Sequence, residues 1–274
     1  MAYTKLSWLA HFGRRLKNFD LVVLASAKKE VLEQYIQIAP KLGPNCTIAF
    51  VDGGDQPEIG GDFKRLNCFD LYEKARSLRD FDWIFKREML RDTHYPPNVS
   101  PLPFAFNFDW LDKLKPSVAK KYDVAFWAVA SHPIRQKALD LIKDRWDCAQ
   151  NGTGVHPSIK QYKRTGKFYL EELKACKIAL NFRGSGWDTL RYWEIPAMGS
   201  FMISPKPGIT IPHEFISELE VVHCKDDLSD LVELCNYYLK NDELREKIAR
   251  NGLSKMYLYH QDKHRAQELL RFSQ

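Results

Sequence analysis

Short apolar runs alternate with helix-period segments along most of the chain, and this alternation limits the possible folds more than any other feature. Runs of strand length occupy residues 20–25 (DLVVLA), 47–51 (TIAFV), 83–85 (WIF) and 99–104 (VSPLPF). Between the first two, residues 28–43 read as a helix stopped by Pro40 and Gly43, and residues 68–78 read as a second helix. The pattern restarts with a strand at 123–129 (DVAFWAV) and a helix at 133–146 that carries Pro133 in its first turn. A helix at 168–176 follows, then strands at 178–182 (IALNF) and 201–204 (FMIS) bracketing a helix at 188–198, and a short strand at 221–222. Residues 228–270 read as two or three amphipathic helices, and there is no internal repeat. Strands that are apolar throughout and separated by helices belong to a parallel sheet covered on both faces, so the fold class is α/β.

A chain of 274 residues is long enough for one large or two compact domains. The stretch 96–117 breaks the alternation with Pro96, Pro97, Pro101, Pro103 and Pro116, and reads as a linker between an N-terminal lobe, 1–110, and a C-terminal lobe, 111–274. A loop inside one larger domain is the alternative. With 45% hydrophobic residues there is ample apolar material for a core, which excludes a disordered or collagenous chain.

Charge is informative through its placement. Residues 1–110 carry 15 basic against 14 acidic side chains, and residues 111–274 carry 26 against 21. An excess confined to the second half suits a small anionic ligand, whereas a nucleic acid partner would call for a dense basic stripe. No run approaches the ~20 apolar residues of a membrane span, and the opening MAYTKLSWLAHFGRRLKN lacks the apolar core of a secretory leader, so a cytoplasmic protein is expected. The six cysteines form no CxxC pair and read as buried thiols.

The segment KIALNFRGSGWDTLRYWEIPAMGSFMIS, residues 177–204, is the richest in chemistry. A strand ends at Phe182, Arg183-Gly184-Ser185-Gly186 turns, and a helix begins near Asp188 or Thr189. Ligands of an open parallel sheet sit beyond the carboxyl ends of its strands, where such a turn and a helix start offer main-chain N–H groups to an anion. Arg191 and Glu194 lie three residues apart and share a helix face. An arginine there can hold a diphosphate and a carboxylate can accept the two hydroxyls of a ribose; the plainer alternative is a surface ion pair. Trp187, Tyr192 and Trp193 flank the same turn as stacking or core residues.

The run RYWEIPAMGSFMIS resembles the nucleotide-sugar-binding segment of GT-B glycosyltransferases, in particular the CgeB-like group 1 and exostosin-like families. YDVAFWAVAS with the later Arg135 is similar to the first strand and loop of their donor lobe, and HQDKHRAQELL to their terminal helix. Together these cover about residues 120–272. The resemblance implies two Rossmann-like lobes with an inter-lobe cleft. It implies transfer of a sugar from a nucleotide-sugar, a UDP-sugar by the habit of these families, to a hydroxyl of a glycan or other acceptor, with no cofactor beyond that donor. It implies Glu194 on the ribose and Arg191 on the phosphates, with Arg183, Gly184, Ser185, Gly186, Asp188 and Thr189 near the sugar and pyrophosphate, and Ser131 and Arg135 near the phosphates from the other side. Many retaining relatives carry a second glutamate eight residues before the ribose-binding one; Gly186 stands there, which favours an inverting reaction.

Inversion needs a base for the acceptor hydroxyl. The candidates are Asp52 and Asp55 in VDGGD and Glu88 after WIFKR, with a solvated Asp-Gly turn as the alternative for the first two. The pair Asp80 and Asp82 could hold a metal, but it precedes a strand and so falls at the wrong end of a sheet; no metal is expected. His94, His132, His213 and His223 lack metal-ligand spacing, and His156 sits in a loop of the second lobe. An epimerase or hydrolase on the same fold, or a non-catalytic nucleotide- or glycan-binding module, are the alternatives to a transferase.

Overall fold

The computed structural model describes residues 13–25, 28–114, 118–146, 152–153 and 166–272. Its first four strands, β1 (Leu21–Ala25), β2 (Thr47–Asp52), β3 (Trp83–Lys86) and β4 (Val99–Pro101), pair in that order and all in parallel. The register sets Asp52 beside Lys86 and Lys86 beside Pro101. Proline is tolerated there because β4 is an edge strand, which needs no donor on its outer side. The stretch read as a linker therefore begins with a strand of the first sheet.

Helices α1 (Lys29–Ile38), α2 (Gly61–Arg65) and α3 (Phe69–Leu78) cover this sheet. α1 turns Leu32 and Tyr35 inward and α3 turns Tyr72 and Ala75 inward. Phe50, Phe63, Tyr72 and Phe81 form an aromatic core with ring centroids 4.9 to 6.1 Å apart. The short α2 has too few residues to show a helical period and does not stand out in the sequence.

The second sheet has the order β10 (Val222–Cys224), β9 (Phe201–Pro205), β8 (Cys176–Leu180), β5 (Tyr122–Ala125), again all parallel. Just past β5, β6 (Trp127–Ala128) pairs with β7 (Gly152–Thr153). Helices α4 (Pro133–Ile142), α5 (Lys167–Lys174), α6 (Leu190–Ala197), α7 (Leu231–Lys240), α8 (Asp242–Tyr259) and α9 (Asp262–Arg271) complete the elements. The core joins Val124, Ile178, Leu180 and Ile203 of the strands to Ala138 of α4 and Leu231 of α7.

Two compact units result: Met1–Pro103 with Ile209–Ile211 and Ala266–Gln274, and Phe104–Gly208 with Pro212–Arg265. The division falls at Pro103/Phe104 rather than at 110/111, and Ile209–Ile211 and Ala266–Gln274 belong to the first unit rather than the second. The reason lies in Phe272, whose ring packs 4.6 Å from Trp83 and 5.7 Å from Phe85 of that unit. Five cysteines, Cys46, Cys68, Cys176, Cys224 and Cys235, are buried free thiols, and Cys148 lies outside the described residues. Among the described residues no helix is long and apolar enough to cross a membrane.

Candidate functional site

At the carboxyl end of β8 the chain leaves the second sheet through Asn181 and Phe182, both buried, and turns over Arg183–Gly186 with a bond from Gly184 N to Gly186 O of 3.0 Å. Asn181 holds the base of this turn, its Nδ2 donating to Ser204 Oγ (3.1 Å) and its Oδ1 accepting from Thr189 Oγ1 (2.7 Å). Thr189 is the residue before α6, and no side chain caps the helix's first turn, so that end keeps N–H groups for an anion.

Arg135 of α4 is almost fully buried beneath the turn. Its Nε donates to Arg183 O (2.9 Å), Nη2 to Phe182 O (3.2 Å), and Nη1 to Val129 O (2.6 Å) and Ser131 Oγ (2.8 Å). A Cβ on Gly184 would lie 2.9 Å from Arg135 Nη2 and 3.0 Å from Ser131 Oγ, so only glycine lets the turn lie this close. Arg135 and Ser131, expected near the phosphates, thus build the loop's floor with main-chain carbonyls. Arg135's pKa is pushed down to about 10 by burial and then by Arg191. His132, the residue before α4, is lowered by burial and then by Arg183 and Arg135.

Arg183 lies over the Trp187 ring, its guanidinium carbon 4.2 Å from the centroid, while Trp187 packs against Gly208. Arg191 donates from Nη2 to Trp127 O (2.6 Å) and from Nε to Tyr169 Oη (3.1 Å), with its guanidinium 5.3 Å from the Phe126 centroid. Tyr169 is pushed up to about 12 by burial. Three guanidinium groups and one imidazole thus gather around one turn with carbonyls and rings as their partners. Glu194 is the carboxylate that Arg191 influences, and burial raises its pKa above the usual range, with Arg191 opposing. A carboxylate beside an arginine, in a place that disfavours its own charge, is a feature of sites rather than of surface ion pairs.

Asp188, expected near the sugar and pyrophosphate, bonds within the fold. It is buried, its Oδ2 accepting from Phe104 N (2.6 Å) and its Oδ1 from Trp193 Nε1 (2.7 Å). Trp193 and Tyr192 are core residues. Behind Trp193 sits His260, fully buried, whose Nε2 donates to His213 O (3.0 Å) and whose Nδ1 accepts from Arg265 Nη2 (3.1 Å). The same Nη2 donates to Phe104 O (3.0 Å), which closes a ring of contacts through Asp188 and Trp193 that fixes the helix bearing Arg191 and Glu194. The partners of His260 set its tautomer, and burial followed by Arg265 pushes its pKa down to about 3.

In the first unit the carboxylates behave differently. Asp52 is fully buried, its Oδ2 accepting from Lys86 Nζ (3.0 Å) and Gly60 N (2.9 Å), while its Oδ1 has no hydrogen-bond partner. Gly60, at φ +72°, opens α2 where a side chain would strike Tyr72. Glu88 is also buried. Asp55 remains substantially exposed and pairs with Arg87. Asp52, expected as a base, is thus buried in an ion pair with Lys86, and Glu88, expected likewise, is buried too. Asp80 pairs with Arg76 through two bonds of 2.7 and 2.8 Å, and Asp82 accepts from Ile48 N (2.7 Å), so the two carboxylates serve separate structural bonds. His156 lies outside the described residues.

Asn181, Tyr169 and the carbonyl of Trp127 were not singled out by the sequence; Asn181 had a signal, being the polar residue at the end of an apolar strand.

No curated protein sequence matches the chain. Solved structures do. An alpha-glucosyltransferase in complex with UDP and a DNA 13-mer containing an HMU base superimposes with a TM-score of 0.62 at 10% identity, over 98% of this chain and 83% of that one. Anabaena Alr3699/HepE in complex with UDP-glucose gives 0.61 at 9%, over 98% and 83%. Sucrose-phosphate synthase of Thermosynechococcus elongatus gives 0.60 at 10%, over 97% and 75%. At such identities the likeness speaks for the fold, which is GT-B. The glycosyl transferase-like family model matches residues 123–271, more than half of the chain and all of the turn and helix just described. With its parallel sheets and that match together, the chain belongs to the glycosyl transferase-like family.

Proposed function

We propose that this protein is a CgeB-like glycosyltransferase that binds a UDP-sugar at the turn after β8 and transfers the sugar to a hydroxyl acceptor, with inversion and without a metal. One observation carries the reading: Glu194, made less acidic by burial, stands with Arg191 beside a glycine turn crowded with guanidinium groups. In this reading the Glu194 carboxylate accepts from the ribose hydroxyls, and Arg183 and Arg191 take the diphosphate by charge-assisted hydrogen bonds. Arg135 and Ser131 shape the turn that Gly184, Ser185 and Gly186 present. Solved neighbours were captured with UDP or UDP-glucose, which supports uridine as the base.

In the transfer the acceptor oxygen bonds to the anomeric carbon, the bond from that carbon to the diphosphate breaks, and UDP leaves with the electron pair. The acceptor proton passes to a base, and of the carboxylates expected for this from the sequence Asp55 is the exposed one. The positive turn and the helix start stabilise the departing diphosphate. Gly186, eight residues before Glu194, supports inversion. Burial of Asp52 and Glu88 favours a second reading, a nucleotide-sugar-binding module without turnover.

Incubation with UDP-sugars, with and without hydroxyl acceptors and with a chelator present, separates the readings. Acceptor-stimulated release of UDP, with a product of inverted anomeric configuration by NMR, is the expected outcome. Binding without UDP release identifies the module; altered free sugar or acceptor-independent release identifies an epimerase or hydrolase.

A further inference from the structure

At the opposite end of the second sheet, where the amino ends of β8 and β9 meet the first half of α8, lies a pocket of about 220 Å³. Its lining includes four cations, Lys120, Lys177, Arg245 and Arg250, and one acid, Glu246. Arg245 is held back from water, while Lys120 stands exposed at the rim. Lys120 Nζ donates to Lys174 O (2.9 Å) and Cys176 O (2.7 Å) and forms no ion pair among the described residues, and desolvation of its ammonium, with Arg245 adding to it, lowers its pKa. The Arg245 side chain is 5% exposed; its Nη1 donates to Tyr238 O (2.7 Å) and Asp242 Oδ1 (2.6 Å), and its Nε and Nη2 make no hydrogen bond. Lys177 and Arg250 form the outer part, paired to Asp123 at 2.7 Å and Glu246 at 3.8 Å.

The Nε and Nη2 donors of this guanidinium take no protein acceptor among the described residues, and an oxyanion matches that edge with two parallel bonds. The volume lies below the ~300–1,000 Å³ of pockets for drug-sized ligands, so a nucleotide-sugar does not fit but a single phosphoryl group does. We propose that this pocket is a second anion site, built for one phosphoryl group, free or carried by a small monoester, and separate from the turn after β8.

The test titrates inorganic phosphate and glycerol 3-phosphate by calorimetry into the full chain carrying Arg191→Ala, which weakens phosphate capture at the other end of the sheet. The same titration follows with Lys177→Gln and Arg250→Gln added, both at outer positions where folding is retained. Arg245→Lys, which keeps the charge but loses the two-bond edge, is the third chain. Binding to the parent with a Kd raised threefold or more by the double substitution, and likewise by Arg245→Lys where that chain folds, is the expected result; the anion bound more tightly identifies the source of the phosphoryl group. No binding of either anion to the parent, or a change below threefold in the double variant, overturns the proposal.

Discussion

Both sheets end in charged loops at the carboxyl ends of their strands, yet the two regions treat their charges in opposite ways. In the first unit charges are matched: Asp52 with Lys86, Asp62 with Arg65, and Asp55 with Arg87. After β8, Arg135, Arg183 and Arg191 gather around one turn with carbonyls and aromatic faces among their partners, and Arg191 acts on Glu194. Matched charges fix a loop and leave little for a ligand. Cations held by carbonyls and rings keep their field for an incoming anion. Composition alone does not separate the two regions, because the deciding partners are main-chain carbonyls.

The comparison breaks first at Asp52. Asp52→Ala leaves Lys86 charged and buried without a counter-ion, and its expected cost is about 3–5 kcal/mol in urea unfolding. A loss under about 1 kcal/mol would mean that the pair does not organise the loop. Next is Arg191→Ala. Loss of a charged hydrogen-bonding group of about 1.5–3 kcal/mol weakens UDP binding roughly 10- to 100-fold, with a smaller effect on free uridine. Equal losses for both ligands would remove Arg191 from the phosphates.

Third comes the clamp behind α6. His260 has a folded pKa far below its unfolded value of about 6.5, so between about pH 6.5 and 3 the unfolded chain binds a proton that the folded one does not. Stability therefore falls on acidification through that window, by about 1.4 kcal/mol per pH unit from this group. His260→Gln, which can still donate to His213 O, should remove that slope; an unchanged slope would show that His260 is protonated in the fold. The smallest effect belongs to Asp80→Ala, an exposed pair with Arg76, at about 0.5 kcal/mol or less with activity intact. A loss of activity restored by manganese would return Asp80 and Asp82 to a metal role.

These contrasts also explain what could be read from sequence. The α/β class, most of the strands and the helix bearing Arg191 and Glu194 were legible because apolar period and turn residues act locally. The roles of Arg135, Asp188 and Asp52 were not, since each depends on a partner distant in sequence: Phe182 O is 47 residues from Arg135, Phe104 N is 84 from Asp188, and Lys86 is 34 from Asp52. Residue type gave their charge, and the fold decided whether that charge was free to act. The return of Phe272 to the first unit escaped notice for the same reason, because a terminal helix carries no mark of what it packs against.

Glu194 offers the most direct test. Its raised pKa means that the folded chain holds its proton more tightly than the unfolded one, so ionised Glu194 lowers stability as pH rises through that window. UDP binding by calorimetry, measured together with Tm for the wild type and Glu194→Gln at neutral pH, separates a ligand-binding carboxylate from a structural one. The account predicts that UDP binds the wild type, that the variant binds at least tenfold more weakly, and that its Tm is equal or higher. UDP affinity unchanged in the variant, or a Tm that falls while affinity is retained, would contradict it.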